Sequence, residues 1–219
     1  MTNNQYISTQ TQNKQQIYVL CGIAIPIVFT LLIIVESLLR PGYSQISNFI
    51  SDLGVGPYSL IQNMNFIISG ILSIVFAIVL GASLPANRSG KATKWMVILF
   101  GLGTIFAGVA LILSWIYFGE SPTNYVFYLY HTLASFIAFL TIIAAQILTW
   151  QALKKSDSTI WGNYPIYSLV SGLLSIILLI VFMSTFSSPY TGLTERLFVA
   201  VPLIWLGITG LKLYKMIKK

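Results

Sequence analysis

IYVLCGIAIPIVFTLLIIVESLL, residues 17–39, decides how this chain is built. Its one charged residue is Glu36, and it has no polar/apolar alternation of the kind a half-buried strand shows. About 20 mostly apolar residues are what an α-helix needs to cross the roughly 30 Å of bilayer hydrocarbon. The stretch therefore reads as a spanning helix. Five more stretches of the same kind follow, at 59–84, 95–118, 125–152, 165–186 and 193–214. The connections between them are short, so consecutive helices run antiparallel. The expected fold is all-α: a polytopic bundle of six transmembrane helices. Composition agrees, because 56% of the 219 residues are hydrophobic and 8% are charged, against about 25% charged in soluble domains.

Upstream, residues 1–16 (MTNNQYISTQTQNKQQ) are polar with a single charge. The apolar run behind them is too long for a signal-peptide core and lacks a clear small-residue cleavage site. They read as a disordered cytoplasmic tail, with residues 17–219 forming one six-helix transmembrane domain.

The net charge of +7 could suggest nucleic acid, but its placement points to topology. Lys14, Arg88, Lys91, Lys94, Lys154, Lys155, Lys212, Lys215, Lys218 and Lys219 all fall on one side of a six-span chain, and only Arg40 and Arg196 on the other. The excess of basic residues in cytoplasmic loops places both termini in the cytoplasm of a cell-membrane protein. The acceptor-like Asn87-Arg88-Ser89 is then internal and is discounted. With Cys21 as the one cysteine there is no intrachain disulfide, and one Cys with one His makes no ordinary zinc site. No cofactor or metal is expected.

Small and weakly polar residues recur along the spans, such as Asn65, Ser69, Ser73, Ala77 and Gly81 in the second. In lipid such stripes let helix backbones approach and hydrogen-bond. Pro26 and Pro202 each free a carbonyl inside a span.

The connection RPGYSQISNFISDLGVGPYSL, 40–60, differs from the others. Ile46, Phe49, Ile50 and Leu53 have helical spacing, Ser44 is a candidate N-cap and Gly54 a candidate stop. A short amphipathic helix is expected there, in the outer interface or folded onto the bundle. Its polar face would present Ser47, Asn48, Ser51 and Asp52, with Asp52 near the C-terminus and in need of a partner.

Of five acids, Asp157 falls in a cytoplasmic loop and Glu120 in a short outer loop. Glu36, Asp52 and Glu195 all belong at the outer boundary, with Arg40, Arg196 and the sole histidine, His131. Ionisable groups at that depth are costly unless paired or wetted, so the cluster is a candidate site. The plainer alternatives are a Glu36–Arg40 helix-end ion pair, a dipole-favoured Glu195, a snorkelling Arg196 and an aromatic belt around His131. Three functions fit. The first is recognition of a lipid headgroup or amphiphile, with Glu36, Arg40, Ser47, Asn65 and Arg196 binding and the two arginines on the anionic part. The second is an intramembrane lipid hydrolase or transferase, with His131 as general base, Ser51 as the hydroxyl, and Asp52 or Glu195 orienting the imidazole. The third is a structural or immunity-type partner of another membrane protein. Membrane lipid is the expected partner; nucleic acid is not.

At these same residues the chain resembles the prokaryotic six-helix membrane family catalogued as domain of unknown function 998. The likeness lies in Arg40-Pro41-Gly42-Tyr43-Ser44 leading to Ile50-Ser51-Asp52-Leu53-Gly54, then Asn65 and Ser69-Gly70, His131, and Gly192-Leu193-Thr194-Glu195-Arg196 ahead of Trp205. The resemblance implies the six-helix topology and no particular chemistry.

Overall fold

The computed structural model describes residues 3–118, 125–156 and 158–218. Its elements are α1 (Asn3–Leu39), a 3-10 turn (Ile50–Gly54), α2 (Ser59–Ser83), α3 (Arg88–Phe118), α4 (Tyr125–Leu153), α5 (Ser158–Trp161), α6 (Tyr164–Ser184) and α7 (Thr191–Ile217). All but α5 and the 3-10 turn are long and apolar enough to cross a membrane. Glu120 and Asp157 lie outside the described residues.

α1 begins at Asn3, inside the segment expected to be a disordered tail. No Pro or Gly precedes Gly22, so nothing in the sequence stops a helix nucleated in the span from propagating backwards.

The six long helices close a ring. α1 packs on α2, α2 on α3, α3 on α4, α4 on α6, α6 on α7, and α7 back on α1. The ring buries polar side chains among its apolar core and turns apolar ones outwards: Gln62, Asn65 and Gln146 have no solvent exposure, while Leu31, Phe106, Ile137 and Ile180 face outwards. That distribution suits hydrocarbon surroundings, in which buried amides find partners only within the protein. The chain is thus a multi-pass membrane protein.

Close approach is built from glycine. A Cβ on Gly70 would lie 2.5 Å from the Gly101 carbonyl oxygen, and one on Gly101 would lie 2.6 Å from that of Gly70. The Pro26 ring of α1 sits against Gly207 of α7. Towards the end of the ring away from the 3-10 turn, α4 and α6 are also tight. Ser168 Oγ donates to the Gln146 carbonyl at 2.8 Å, Trp205 Nε1 donates to Ser168 Oγ at 2.9 Å, and Gly172 meets Ile147.

Residues 40–58 depart from the amphipathic α-helix expected there. Ser44 does cap a turn, its Oγ accepting from the N–H groups of Ile46 and Ser47 at 3.3 and 3.4 Å. The helical part is a single 3-10 turn folded onto the bundle, with Ile50, Leu53 and Gly54 buried. Asp52 lies in the first turn, not against the C-terminal dipole, and its Oδ2 accepts from the Phe49 N–H at 2.9 Å.

Candidate functional site

The ring is not filled at the 3-10 end. A chamber of about 220 Å³ runs from beneath the 3-10 turn towards Phe100, Ile142 and Pro202. Its walls are mostly phenylalanine and aliphatic side chains. Ser51, His131 and Glu195 supply most of the polar character near the turn. This volume exceeds the roughly 150 Å³ of an engineered cavity that takes up benzene.

The chamber opens sideways. Tyr128, Thr132 and Phe136 on α4, four apart and hence on one face, both line it and are exposed. Met183, in the last turn of α6, and Phe186, just beyond it, do the same. α4 and α6 are pinned together at Ser168 and Gly172, and nearer the 3-10 end these exposed lining residues flank the opening, on a surface that carries exposed apolar side chains.

Three of the four expected catalytic residues converge on this space. His131, 5% exposed, packs between Phe66 and Tyr128, with ring centroids 5.8 and 6.4 Å away. Its Nδ1 is 2.9 Å from the Ala107 carbonyl oxygen. A carbonyl only accepts, so Nδ1 carries the proton and Nε2 keeps its lone pair. Glu195 Oε2 accepts from the Ile50 N–H at 2.6 Å, which ties α7 to the roof of the chamber. Ser51, expected on an exposed polar face, lines the chamber instead.

Asp52 does not line it. Besides the Phe49 N–H, it takes a bond from Asn48 Nδ2 at 3.4 Å, so it shapes the loop and does not orient His131. Burial raises its pKa, opposed by those two donors and by Arg196 and Arg40. A carboxylate with a raised folded-state pKa stabilises the fold below its unfolded value near 3.8 and loses that contribution as pH rises through the folded value. Asp52→Asn should therefore gain in thermal midpoint over the wild type more at pH 7 than at pH 4. A salt-bridged carboxylate would give the opposite trend.

The residues expected to bind a ligand are placed differently. Arg40 donates to the carbonyls of Val55 and Pro57, and to that of Asp52 at 3.4 Å. Arg196 donates to the carbonyls of Asn48 at 2.9 Å and Gly192 at 2.8 Å, and to the Tyr43 hydroxyl oxygen. Both guanidinium groups thus clamp residues 40–58, and neither lines the chamber. Tyr43 in turn donates to the Phe49 carbonyl at 2.8 Å. Burial pushes its pKa up to about 12, against the pull of Arg196. Ser47 is exposed on the loop.

Glu36 has no exposure, and neither of its oxygens has a hydrogen-bond partner. The ion pair with Arg40, the plainer alternative for these two residues, does not form; the guanidinium is on the loop carbonyls instead. Asn65, fully buried, donates to the Phe29 carbonyl at 3.0 Å and to Gln62 Oε1 at 3.2 Å, and accepts from Ser69 Oγ at 3.4 Å. It stands behind the wall, which Ser69 reaches.

Sequence reasoning missed the aromatic lining and the lateral gap. It also missed Gln146, whose side-chain N and O have no partner; an amide in mid-span was the available signal.

These features define an α-helical multi-pass membrane protein with an internal chamber open between two helices. The chain belongs to the family described as "Protein of unknown function (DUF998)", whose model matches residues 23–212. No curated protein and no solved structure matches it.

Proposed function

We propose that the protein binds a membrane amphiphile, admitting its apolar chain between α4 and α6 and holding its polar head against His131, Glu195 and Ser51 beneath the 3-10 turn. The observation that carries this reading is the chamber itself: apolar along its length, polar near one end, and open to the hydrocarbon-facing surface through Phe136, Thr132 and Met183. A water-facing opening would suit a soluble ligand; a lateral one suits a molecule already dissolved in the bilayer. The basic residues gathered at the opposite end support placing the chamber in the outer leaflet of the cell membrane.

Ser135→Phe tests the reading. Ser135 lines the chamber, is partly exposed and makes no bond to the protein, so a phenyl ring there occupies the space without removing a contact. Lipid retained by the purified protein, measured by mass spectrometry, should fall at least about tenfold while the thermal midpoint holds or rises. Equal retention by wild type and variant sinks the proposal.

The bare Nε2 of His131, in one chamber with Ser51 and Glu195, favours a second reading as a lipid hydrolase or transferase with His131 as general base. His131→Ala would then abolish turnover of a chamber-bound ester and leave its binding in place.

A further inference from the structure

Five of the eight polar groups that line the chamber present only acceptors to it. His131 Nε2 is an acceptor, because the ring proton is committed to the Ala107 carbonyl. One Glu195 oxygen takes the Ile50 N–H; the other receives no bond. Thr104 and Thr132 give their hydroxyl protons to the carbonyls of Phe100 and Tyr128, at 2.8 and 2.9 Å, and Ser69 gives its own to Asn65 Oδ1. What those three leave towards the space is oxygen lone pairs. The hydroxyls of Ser51, Tyr128 and Ser135 can serve in either role. Among the described residues, no lysine, arginine, tryptophan, asparagine or glutamine lines the chamber. Arg40 and Arg196, the cations of the roof segment, lie outside the lining and donate to loop carbonyls and the Tyr43 hydroxyl, with Arg196 Nε alone left without a partner.

From this we infer that the chamber selects a single-chain amphiphile whose head donates hydrogen bonds, a hydroxyl or an ammonium, and turns away anionic heads. The inference rests on the amphiphile-binding reading above and gives its ligand a chemistry. A phosphate or carboxylate head would bring a like charge against Glu195 and a second set of lone pairs against His131, with no lining cation and only the neutral hydroxyls of Ser51, Tyr128 and Ser135 to compensate. Burying an unpaired charge in that way is prohibitive. A hydroxyl donates to either acceptor; an ammonium carries three protons and answers the carboxylate as well.

The test uses the full chain in a maltoside detergent at pH 7.5 and direct binding of tritiated dodecan-1-ol, dodecylamine, dodecane and dodecyl phosphate. The alcohol and the amine should each bind one per protein, about tenfold or more tighter than the phosphate and the alkane, as one or two well-placed hydrogen bonds allow. His131→Phe should bring the alcohol close to the level of dodecane. Unchanged dodecane binding by that variant reports that the chamber is still folded. Glu195→Gln should weaken the amine more than the alcohol, which separates the two sources of the donor. Phosphate binding as tight as that of the alcohol overturns the inference. So does equal binding of all four probes, although the chamber reading survives that result. Failure of every probe, alkane included, removes the chamber reading and the inference with it.

Discussion

Replacing Gly101 with leucine should be the most damaging single change in the bundle, costing about 3 kcal/mol or more. A Cβ there would already stand 2.6 Å from the Gly70 carbonyl oxygen and 2.7 Å from Ile74 Cγ1. Backbone carbonyls in a helix cannot turn aside, so α2 and α3 must separate along their length. Gly108 shares the constraint, its Cβ position lying 2.6 Å from the Asn63 carbonyl oxygen. Separation would also move Ser69 and Phe66 away from Phe100 and Thr104, and all four line the chamber. The variant should lose on the order of 6–12 °C in thermal midpoint together with its bound amphiphile. Gly101→Ala should show the same direction at about half the size. Leu102→Ala is the control: Leu102 is exposed on the lipid-facing side, and its loss should change the midpoint little. A leucine tolerated at 101 would show that the close α2–α3 contact is not what holds the ring.

The ring and the site were legible in the sequence to different degrees, for a physical reason. Hydropathy over some 20 residues reports the length embedded in lipid, so all six spans fall where expected. It does not report where a helix stops. α3 starts at Arg88 and not near residue 95, because Arg88, Lys91 and Lys94 are good helix formers that extend the helix into the interface. The 40–58 segment was read with a period of 3.6, which groups Ser47, Asn48, Ser51 and Asp52 on one face. A 3-10 turn repeats at three. That places Ile50 and Leu53 inwards together, lets Ser51 reach the chamber, and leaves Asp52 to cap the loop. The convergence of His131 and Glu195 followed from depth alone. The aromatic lining did not, because phenylalanines facing lipid and phenylalanines facing an internal space look alike in composition.

Arg196 is where residue type and role part most clearly, and its replacement carries the second large effect. An arginine at the membrane boundary looks like an anion receptor, but an irregular backbone offers carbonyls that composition does not reveal. Here the carbonyls of Asn48 and Gly192 and the Tyr43 hydroxyl use its fork, and the guanidinium lies 5.6 Å from the Tyr43 ring centroid. Arg196→Ala leaves those acceptors unpaired in a half-buried site. At about 1–3 kcal/mol for each orphaned group, partly relieved by relaxation, the loss should be about 3 kcal/mol. The damage should concentrate in residues 43–50, raising their hydrogen exchange and their cleavage by protease. Leu193 N–H to the Ile46 carbonyl at 2.9 Å, and Ile50 N–H to Glu195, would then be the hydrogen bonds left between that segment and α7. Arg196→Lys should recover less than half, because a single ammonium cannot span three acceptors arranged for a planar fork. If Arg196→Ala keeps its thermal midpoint and its exchange pattern yet stops binding amphiphile, the arginine serves the ligand and not the loop, and the assignment of donor-only heads to the chamber goes with it.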